Sequence, residues 1–179
     1  MNTSTVGLIG ELKVQRLLNV CKLQMGAQYI SNLPLYDSDK NTYNQVDDVV
    51  ICTRGFFAIE VKNWNCEVNC EDSRYWKVKY PKQEIYVKSP LDQNTAHCRK
   101  LEKITGCMPI NIVLFVDGAR LKGPPDGIML ASEFPSYLAR YPEIISQSEA
   151  EDLYNRLVDY KRSIEPRMIM EFIVRRAKI

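Results

Sequence analysis

The chain has 179 residues, 45% of them hydrophobic and 26% charged, and a formal net charge of +2. This composition is that of a globular protein of about one domain, and it excludes collagen-like, low-complexity and wholly disordered chains. No apolar run approaches the roughly 18 to 20 residues that cross a bilayer. The first residues also lack the basic and apolar regions of a signal peptide. We therefore expect a cytoplasmic protein without membrane association.

The six cysteines fit the same compartment. Without an export signal, a reducing environment is the default, and free thiols in or near a core are the simplest interpretation. Cys66 and Cys70 could form half of a zinc site, but no second close pair of cysteines or histidines accompanies them.

The pattern of apolar residues predicts helix, strands, helix and strands over the first three quarters of the chain. The predicted elements are a helix from Ser4 or Thr5 to about residue 22, strands over 29–33, 46–52 and 56–61, one or two strands within 67–87, a helix from Pro90 to about Thr105, and strands over 110–116 and 128–130. Polar or Gly/Pro-rich loops are predicted over 37–44 and 118–127.

The last quarter reads as helical. Ser132 is predicted to cap a short helix around Tyr137, Ser148 opens a helix to about Tyr160, and a final helix runs from about Glu165 to Ala177. The order of elements indicates an α/β or α+β sheet covered by helices. We expect one domain over 1–131 and a helical extension over 132–179, packed on that domain or used for association.

Three charged residues lie on segments that otherwise read as interior strands: Asp47, Glu60 and Lys62. Burying a charge is costly unless it is paired or bound to a metal. Glu60 and Lys62 are two apart and so share one face of a strand. If Arg54 and Gly55 form a two-residue hairpin loop, Asp47 falls opposite Lys62 on that face, whereas a one-residue slip turns it away.

This trio suits hydrolysis of a phosphodiester bond. Two carboxylates can hold Mg²⁺ through oxygen, and the metal can polarise the phosphoryl group and activate a bound water. Lysine can orient that water or stabilise the charge that develops in the transition state. The alternative is a buried ion pair with a purely structural role.

Sequence blocks around the trio form a longer pattern. They are Gly7-Leu8-Ile9-Gly10-Glu11, Gln45-Val46-Asp47, Gly55-Phe56-Phe57-Ala58-Ile59-Glu60-Val61-Lys62-Asn63-Trp64, Tyr75-Trp76, and Ser89-Pro90-Leu91-Asp92-Gln93-Asn94 followed by His97 and Leu101. In this order they resemble the nuclease-related domain (NERD) family of the PD-(D/E)XK nuclease superfamily, over roughly residues 7–116. The chain departs from the family pattern at Ser89, where asparagine is usual, and at Cys66 and Cys70, where glycines are common.

The resemblance implies a restriction-endonuclease-like mixed central sheet flanked by helices and a nuclease that depends on Mg²⁺ or Mn²⁺. It implies that Glu11 joins Asp47 and Glu60 as a metal ligand, although an exposed helical glutamate is the common alternative. Lys62 would assist the attacking water. DNA is favoured over RNA as the substrate. The rival function is a nucleic-acid-binding or scaffold module that keeps the fold without turnover.

Two residues on the predicted second helix lie four apart and therefore share a face, Gln93 and His97. Gln93 is a candidate to help position the site or to contact a substrate phosphate. His97 either acts with Gln93 or only packs. Asp48 faces the other side of its strand in the register above, which favours a structural or supporting role.

Residues 72–103 combine eight basic and four acidic residues with interleaved aromatics. Basic groups neutralise phosphates and aromatic rings stack on exposed bases. The candidate nucleic-acid contacts are Lys77, Lys79, Lys88, Arg99 and Lys100. The alternative is a solvated strand face whose aromatics belong to the core.

The chain end is basic and carries an apolar stripe at helical spacing, formed by Met168, Ile169, Phe172 and Ile173. Such a stripe packs on its own domain or on a second copy, so a homodimer through the C-terminal helices is one expectation.

Overall fold

The computed structural model describes residues 3–37, 41–71, 74–116 and 118–176. The helices are α1 (Thr3–Met25), α2 (Pro90–Thr105), α3 (Phe134–Arg140) and α4 (Gln147–Arg176). The strands are β1 (Gln28–Asp37), β2 (Thr42–Cys52), β3 (Gly55–Lys62), β4 (Glu67–Asn69), β5 (Tyr75–Tyr80), β6 (Gln83–Lys88), β7 (Ile110–Phe115), β8 (Arg120–Lys122) and β9 (Ile128–Leu130).

The strands form two sheets. The central sheet has the order β1-β2-β3-β7-β9, in which β1, β2 and β3 are antiparallel and β3, β7 and β9 are parallel. The outer sheet has the order β6-β5-β4-β8. Helix α2 provides the crossover between the parallel strands β3 and β7, and the first three strands of the outer sheet are inserted before it. The predicted mixed sheet flanked by helices is confirmed.

Both faces of the central sheet are covered, which explains why β2, β3 and β7 are nearly continuous apolar runs. On one face, α1 and α3 pack against side chains such as Phe57 and Leu114. On the other face, α2 and α4 pack against alternate residues such as Val49 and Ala58. A third cluster joins the outer sheet to β7, with the rings of Trp76 and Phe115 6.1 Å apart.

The hairpin between β2 and β3 differs from the predicted register. The turn consists of Thr53 and Arg54, and Cys52 lies opposite Gly55 instead of Thr53 opposite Phe56. Gly55 has a φ of 137°, a conformation that favours glycine, and it begins the strand rather than ending the loop. The predicted pairing of Asp47 with Lys62 is therefore wrong by two residues. Since side chains alternate with a period of two, Asp47 still lies on the face of Glu60 and Lys62.

Several element boundaries also differ. Within the predicted loop over 37–44, residue 37 belongs to β1 and residues 42–44 belong to β2, and β8 lies inside the predicted loop over 118–127. Three strands, not one or two, occupy the predicted strand region and extend to Lys88. Pro34 falls within β1, an edge strand, where a missing N–H is tolerated.

The C-terminal helices are also arranged differently. A 3₁₀ turn over Ala131–Glu133 replaces the predicted Ser132 cap before α3. Helix α4 is capped by Ser146, whose Oγ accepts from the Glu149 N–H at 3.2 Å while Glu149 Oε2 accepts from the Ser146 N–H at 2.7 Å. It then runs through Pro166 as one helix, since proline removes one hydrogen bond while the flanking turns keep theirs.

The side chains of α4 up to Ile164 include Leu153 and Leu157, which pack between α2 and β1. The apolar stripe predicted over residues 168–173 lies outside the described side chains. None of the six cysteines is in a disulfide, and all except Cys107 are buried. Among the described residues, no helix is long and apolar enough to cross a membrane.

Candidate active site

Four of the predicted site residues meet where β3 ends and α2 begins. Glu60 is almost fully buried, and its Oε1 lies 2.5 Å from Lys62 Nζ. Gln93, in the first turns of α2, donates through Nε2 to the same Glu60 oxygen at 2.9 Å, and its Oε1 lies 3.4 Å from Lys62 Nζ. A carboxylate, an ammonium and an amide thus form one connected group.

Asp47 joins this group through the backbone. The ladder between β2 and β3 ends with Asp48 opposite Ile59. Beyond it, Asp47 Oδ2 accepts a hydrogen bond of 2.8 Å from the Val61 N–H. The carboxylate thereby replaces a backbone acceptor at the point where the strands separate, and it is held beside Glu60 and Lys62 by the main chain.

The carboxylates of the site repel one another. Burial raises the pKa of Glu60, and the charge of Asp47 raises it further, whereas Lys62 lowers it. Burial also raises the pKa of Asp47, while the Val61 N–H and Lys62 lower it. Burial and the charge of Asp47 raise the pKa of Glu11. The single ammonium of Lys62 does not balance three carboxylates, and a bound cation would relieve this excess.

Helix α1, which carries Glu11, approaches the chain closely just after β3. A Cβ added to Gly10 would lie 2.8 Å from the Cβ of Asn63, the residue that follows Lys62. Only glycine allows this contact, and the next residue along α1 is Glu11. The structure brings Glu11 within electrostatic range of Asp47.

His97 lies behind Glu60, one turn of α2 after Gln93. Burial lowers the pKa of His97 to about 4, so the imidazole is neutral near pH 7. Its Nδ1 is 3.9 Å from Glu60 Oε2, and neither atom has a hydrogen-bond partner among the described residues. An unsatisfied carboxylate oxygen therefore lies buried in the centre of the site.

Asn94 was not singled out from the sequence, although it is fully buried next to Gln93. Its Nδ2 donates to the carbonyl of Ala58 at 2.8 Å and to that of Ile112 at 3.1 Å. It therefore ties α2 to β3 and β7 and fixes the helix that carries Gln93. The sequence does contain a sign of this role: Asn94 lies four residues before Cys98, so both share a helix face, and Cys98 is a residue type expected in the core.

Asp48 lies on the opposite face of β2, as predicted. It is buried, and the Ser31 hydroxyl donates to its Oδ1 at 2.5 Å. Burial raises the pKa of Asp48 to about 7, since this hydrogen bond compensates only part of the lost hydration.

The predicted nucleic-acid contacts separate into two groups. Lys77, Lys79 and Lys88 lie on the strands β5 and β6 of the outer sheet, whereas Arg99 and Lys100 lie on α2. Lys100 Nζ is 2.8 Å from Asp37 Oδ2, so its charge is already paired. The interleaved aromatics divide as well: Trp76 and Tyr80 pack in the core, and Tyr75 and Tyr86 are exposed.

Among the described residues, no three His, Cys, Asp or Glu side chains lie close enough together to form a ready-made metal site. The Lys62 ammonium donates a hydrogen bond to Glu60 Oε1, an oxygen that a bound cation would also use. The donor set nevertheless fits a hard cation, because Glu60 Oε2 is buried with no hydrogen-bond partner in the described part of the chain and the carboxylates repel one another.

The family model described as NERD, nuclease-related domain, matches residues 6–117, well over half of the chain. The chain belongs to the NERD family. The match extends from α1 to the residues just after β7 and includes all the candidate active-site residues, but ends before α3 and α4. It confirms the resemblance seen in the sequence and a nuclease-related function, consistent with the PD-(D/E)XK superfamily. No curated protein and no solved structure matches the chain.

Proposed function

We propose that this NERD protein is a metal-dependent nuclease that hydrolyses phosphodiester bonds in nucleic acid, with DNA favoured over RNA, by a PD-(D/E)XK mechanism. The observation that supports it is the connected group of Asp47, Glu60, Lys62 and Gln93 at the end of β3. A purely structural ion pair on a strand does not require a third carboxylate. Here a third carboxylate, that of Glu11, lies within electrostatic range of Asp47.

In this proposal Asp47, Glu60 and Glu11 hold Mg²⁺ or Mn²⁺. The bound metal would supply a polarised phosphoryl group and a water of lowered pKa. Lys62 would have to release Glu60 Oε1 in part, because ammonium and metal compete for the same carboxylate. Gln93 would keep the carboxylate oriented through its hydrogen bond to Glu60 Oε1.

Lys62 is the residue assigned to the attacking water or to a phosphate oxygen. An ammonium has three donors, and two of them are directed at Glu60 Oε1 and Gln93 Oε1. The third N–H can donate a hydrogen bond to a substrate atom. The Trp64 ring, whose centroid is 6.0 Å from Nζ, limits the directions that the side chain can take.

The test is cleavage of plasmid, linear duplex, single-stranded DNA and RNA with Mg²⁺, Mn²⁺ or a chelator. We expect the wild type to cleave at least one substrate only with metal. Lys62→Ala and Asp47→Ala should each lower the rate on the order of 10²- to 10³-fold while circular dichroism stays unchanged. Lys22→Ala, which removes an exposed lysine at the far end of α1, is the matched control and should cleave normally.

A folded Lys62→Ala protein that cleaves at the wild-type rate would contradict the assignment. The second candidate function is a nucleic-acid-binding module without turnover. The observation that favours it is that Lys62 and Gln93 already occupy Glu60 Oε1, as in a structural ion pair. Salt-sensitive binding with no cleavage of any substrate under any metal would support this second function instead.

A further inference from the structure

The outer sheet has one face that packs on the core and one that points away from it. Trp76 and Val78 are on the packed face, so the alternate residues of β5 lie on the other. We call this second face the outer face. The described residues that compose it are Tyr75, Lys77 and Lys79 of β5, Glu84, Tyr86 and Lys88 of β6, Glu67 and Asn69 of β4, and Arg120 and Lys122 of β8.

Two aromatic rings lie on this face beside cations. Tyr75 is 52% exposed and Tyr86 is 68% exposed. In the register of β5 and β6, Tyr75 lies opposite Lys88 and Lys77 lies opposite Tyr86. The two tyrosines are therefore diagonal neighbours on one face, and each has a lysine directly across from it.

The charges of the outer face are predominantly positive. Among its described residues, five are cationic and two are anionic. Lys77 pairs with Glu84 at 2.7 Å and Lys122 pairs with Glu67 at 2.9 Å, and these four residues line a depression of about 190 Å³. The two pairs leave an excess of positive charge from Lys79, Lys88 and Arg120.

The position of the face relates it to the candidate active site. The Ser89 N–H donates to the Arg74 carbonyl at 2.9 Å, so the end of the sheet that carries Tyr75 and Lys88 adjoins the start of α2. Gln93, in the first turns of that helix, contacts Glu60 and Lys62. The outer sheet also packs on the side of the central sheet that carries Glu60, since the neighbour of Glu60 on β7, Val113, belongs to the cluster shared with Trp76.

We propose that the outer face binds single-stranded nucleic acid, with bases stacked on Tyr75 and Tyr86 and phosphates near the cations, and that it leads the strand towards Gln93 and Lys62. Stacking requires bases whose faces are free, a condition that a single strand meets and a duplex does not. The inference rests on the proposed nuclease function insofar as it names the substrate as single-stranded.

The test measures binding without cleavage. Fluorescence anisotropy of labelled single-stranded DNA, single-stranded RNA and duplex DNA of the same sequence is recorded in chelator with wild type, Tyr75→Ala and Tyr86→Ala. We expect tighter binding of a single strand than of the duplex. Each alanine variant should bind the single strand about tenfold more weakly, with little effect on the duplex.

Matched variants separate stacking from charge. Tyr86→Phe keeps the ring and should bind like the wild type, and Leu23→Ala removes a side chain that is 85% exposed on α1 and should also have no effect. Lys79→Ala should reduce the slope of log affinity against log salt by about 0.7 for a single strand, whereas the tyrosine variants leave the slope unchanged. Lys22→Ala is the control for charge.

Equal losses on duplex and single strand, or wild-type binding by both alanine variants, would overturn the proposal. Its failure is distinguishable from failure of the nuclease assignment. If the wild type cleaves but the tyrosine-to-alanine variants bind normally, the binding role of the outer face is wrong and the nuclease assignment is unaffected. If the tyrosine-to-alanine variants lose single-strand binding and no substrate is cut with any metal, the nuclease assignment is wrong and the binding role of the outer face is retained.

Discussion

Asp47 and Asp48 are adjacent in the chain and experience different surroundings because they face opposite sides of β2. Asp47 is held by the Val61 N–H and lies near Lys62, whereas Asp48 is enclosed against α1 with Ser31 as its hydrogen-bond donor. The charges of Asp47 and Glu11 add to the burial that raises the pKa of Asp48 to about 7. The protonation of Asp48 should therefore affect the stability of the fold.

We predict that Asp48→Asn stabilises the protein at high pH and not at low pH. The folded pKa of Asp48, about 7, is above the value of about 3.9 for an unfolded chain. Its favourable contribution is therefore fully present below about pH 4 and is lost as the pH rises through about 7. The difference in unfolding free energy between variant and wild type should grow over this window, to at most about 4 kcal/mol.

The measurement is urea unfolding of both proteins at several pH values between 4 and 8. Asp152→Asn, an exposed aspartate of α4, is the control and should follow the wild type throughout. A constant difference between Asp48→Asn and wild type at every pH would show that Asp48 is ionised in the folded protein across the whole range.

The convergence of the site residues could be predicted from the sequence to a large extent. Glu60 and Lys62 alternate on one apolar strand and share a face in any register. Asp47, on the neighbouring strand, was grouped with them correctly because the pairing was wrong by two residues, which keeps the face, and not by one, which would turn Asp47 away. The environment of His97 could not be predicted, because its neighbour Glu60 comes from a strand whose distance to α2 depends on the packing of the whole domain.

At the scale of elements, Gly10 sets how closely α1 approaches the end of β3. We predict that Gly10→Ala destabilises the protein by about 1 to 2 kcal/mol, because overpacking costs roughly 1 to 3 kcal/mol. In an unobstructed helix the same change stabilises by roughly 0.5 to 1 kcal/mol. The sign of the change in unfolding free energy thus decides whether the contact with Asn63 is as close as the structure has it.

A double-mutant cycle with Asn63→Gly provides the control. Removing the Asn63 side chain should restore the stabilising sign of Gly10→Ala, with a coupling energy of about 1 kcal/mol or more. If Gly10→Ala stabilises the protein in both backgrounds, α1 lies farther from β3 than the structure indicates.

Helix α2 and the short strand β9 were predicted with nearly correct bounds, whereas the three-residue strands β4 and β8 and the continuous helix α4 were not. Helix α2 ends at Thr105 as predicted, since Gly106 stops it in the left-handed conformation with a φ of 79°. Strands β4 and β8 have three residues each, too few to show an alternating pattern; β4 forms between β5 and β8, and β8 forms by pairing with β4. The continuity of α4 through Pro166 was missed because a proline in a helical pattern is usually interpreted as a boundary.

For the whole molecule, α4 determines whether the region after residue 131 is separate from the rest. We predict that Leu157→Ala lowers the unfolding free energy by about 2 to 5 kcal/mol, because Leu157 is fully buried in the cluster that includes β1, β2 and α2. Unfolding should remain a single transition that far-UV circular dichroism and tryptophan fluorescence report together.

Both tryptophans, Trp64 and Trp76, lie outside α4, so the two probes report on different parts of the molecule. Asn155→Ala, an exposed position of the same helix, should change stability by less than about 0.5 kcal/mol. If Leu157→Ala instead produces an early transition in circular dichroism that tryptophan fluorescence does not follow, the extension is a separable unit.

The packing of α4 on β1 also orders events during synthesis. The Tyr36 N–H donates to the Tyr160 hydroxyl, and Lys161 Nζ donates to the Ser31 carbonyl, across 124 and 130 residues of chain. A ribosome that adds about 5 to 20 residues per second needs on the order of 6 to 25 s for this interval. Throughout that time the edge strand lacks its helical cover, and the nascent chain presents a surface that a chaperone can hold until the last helix emerges.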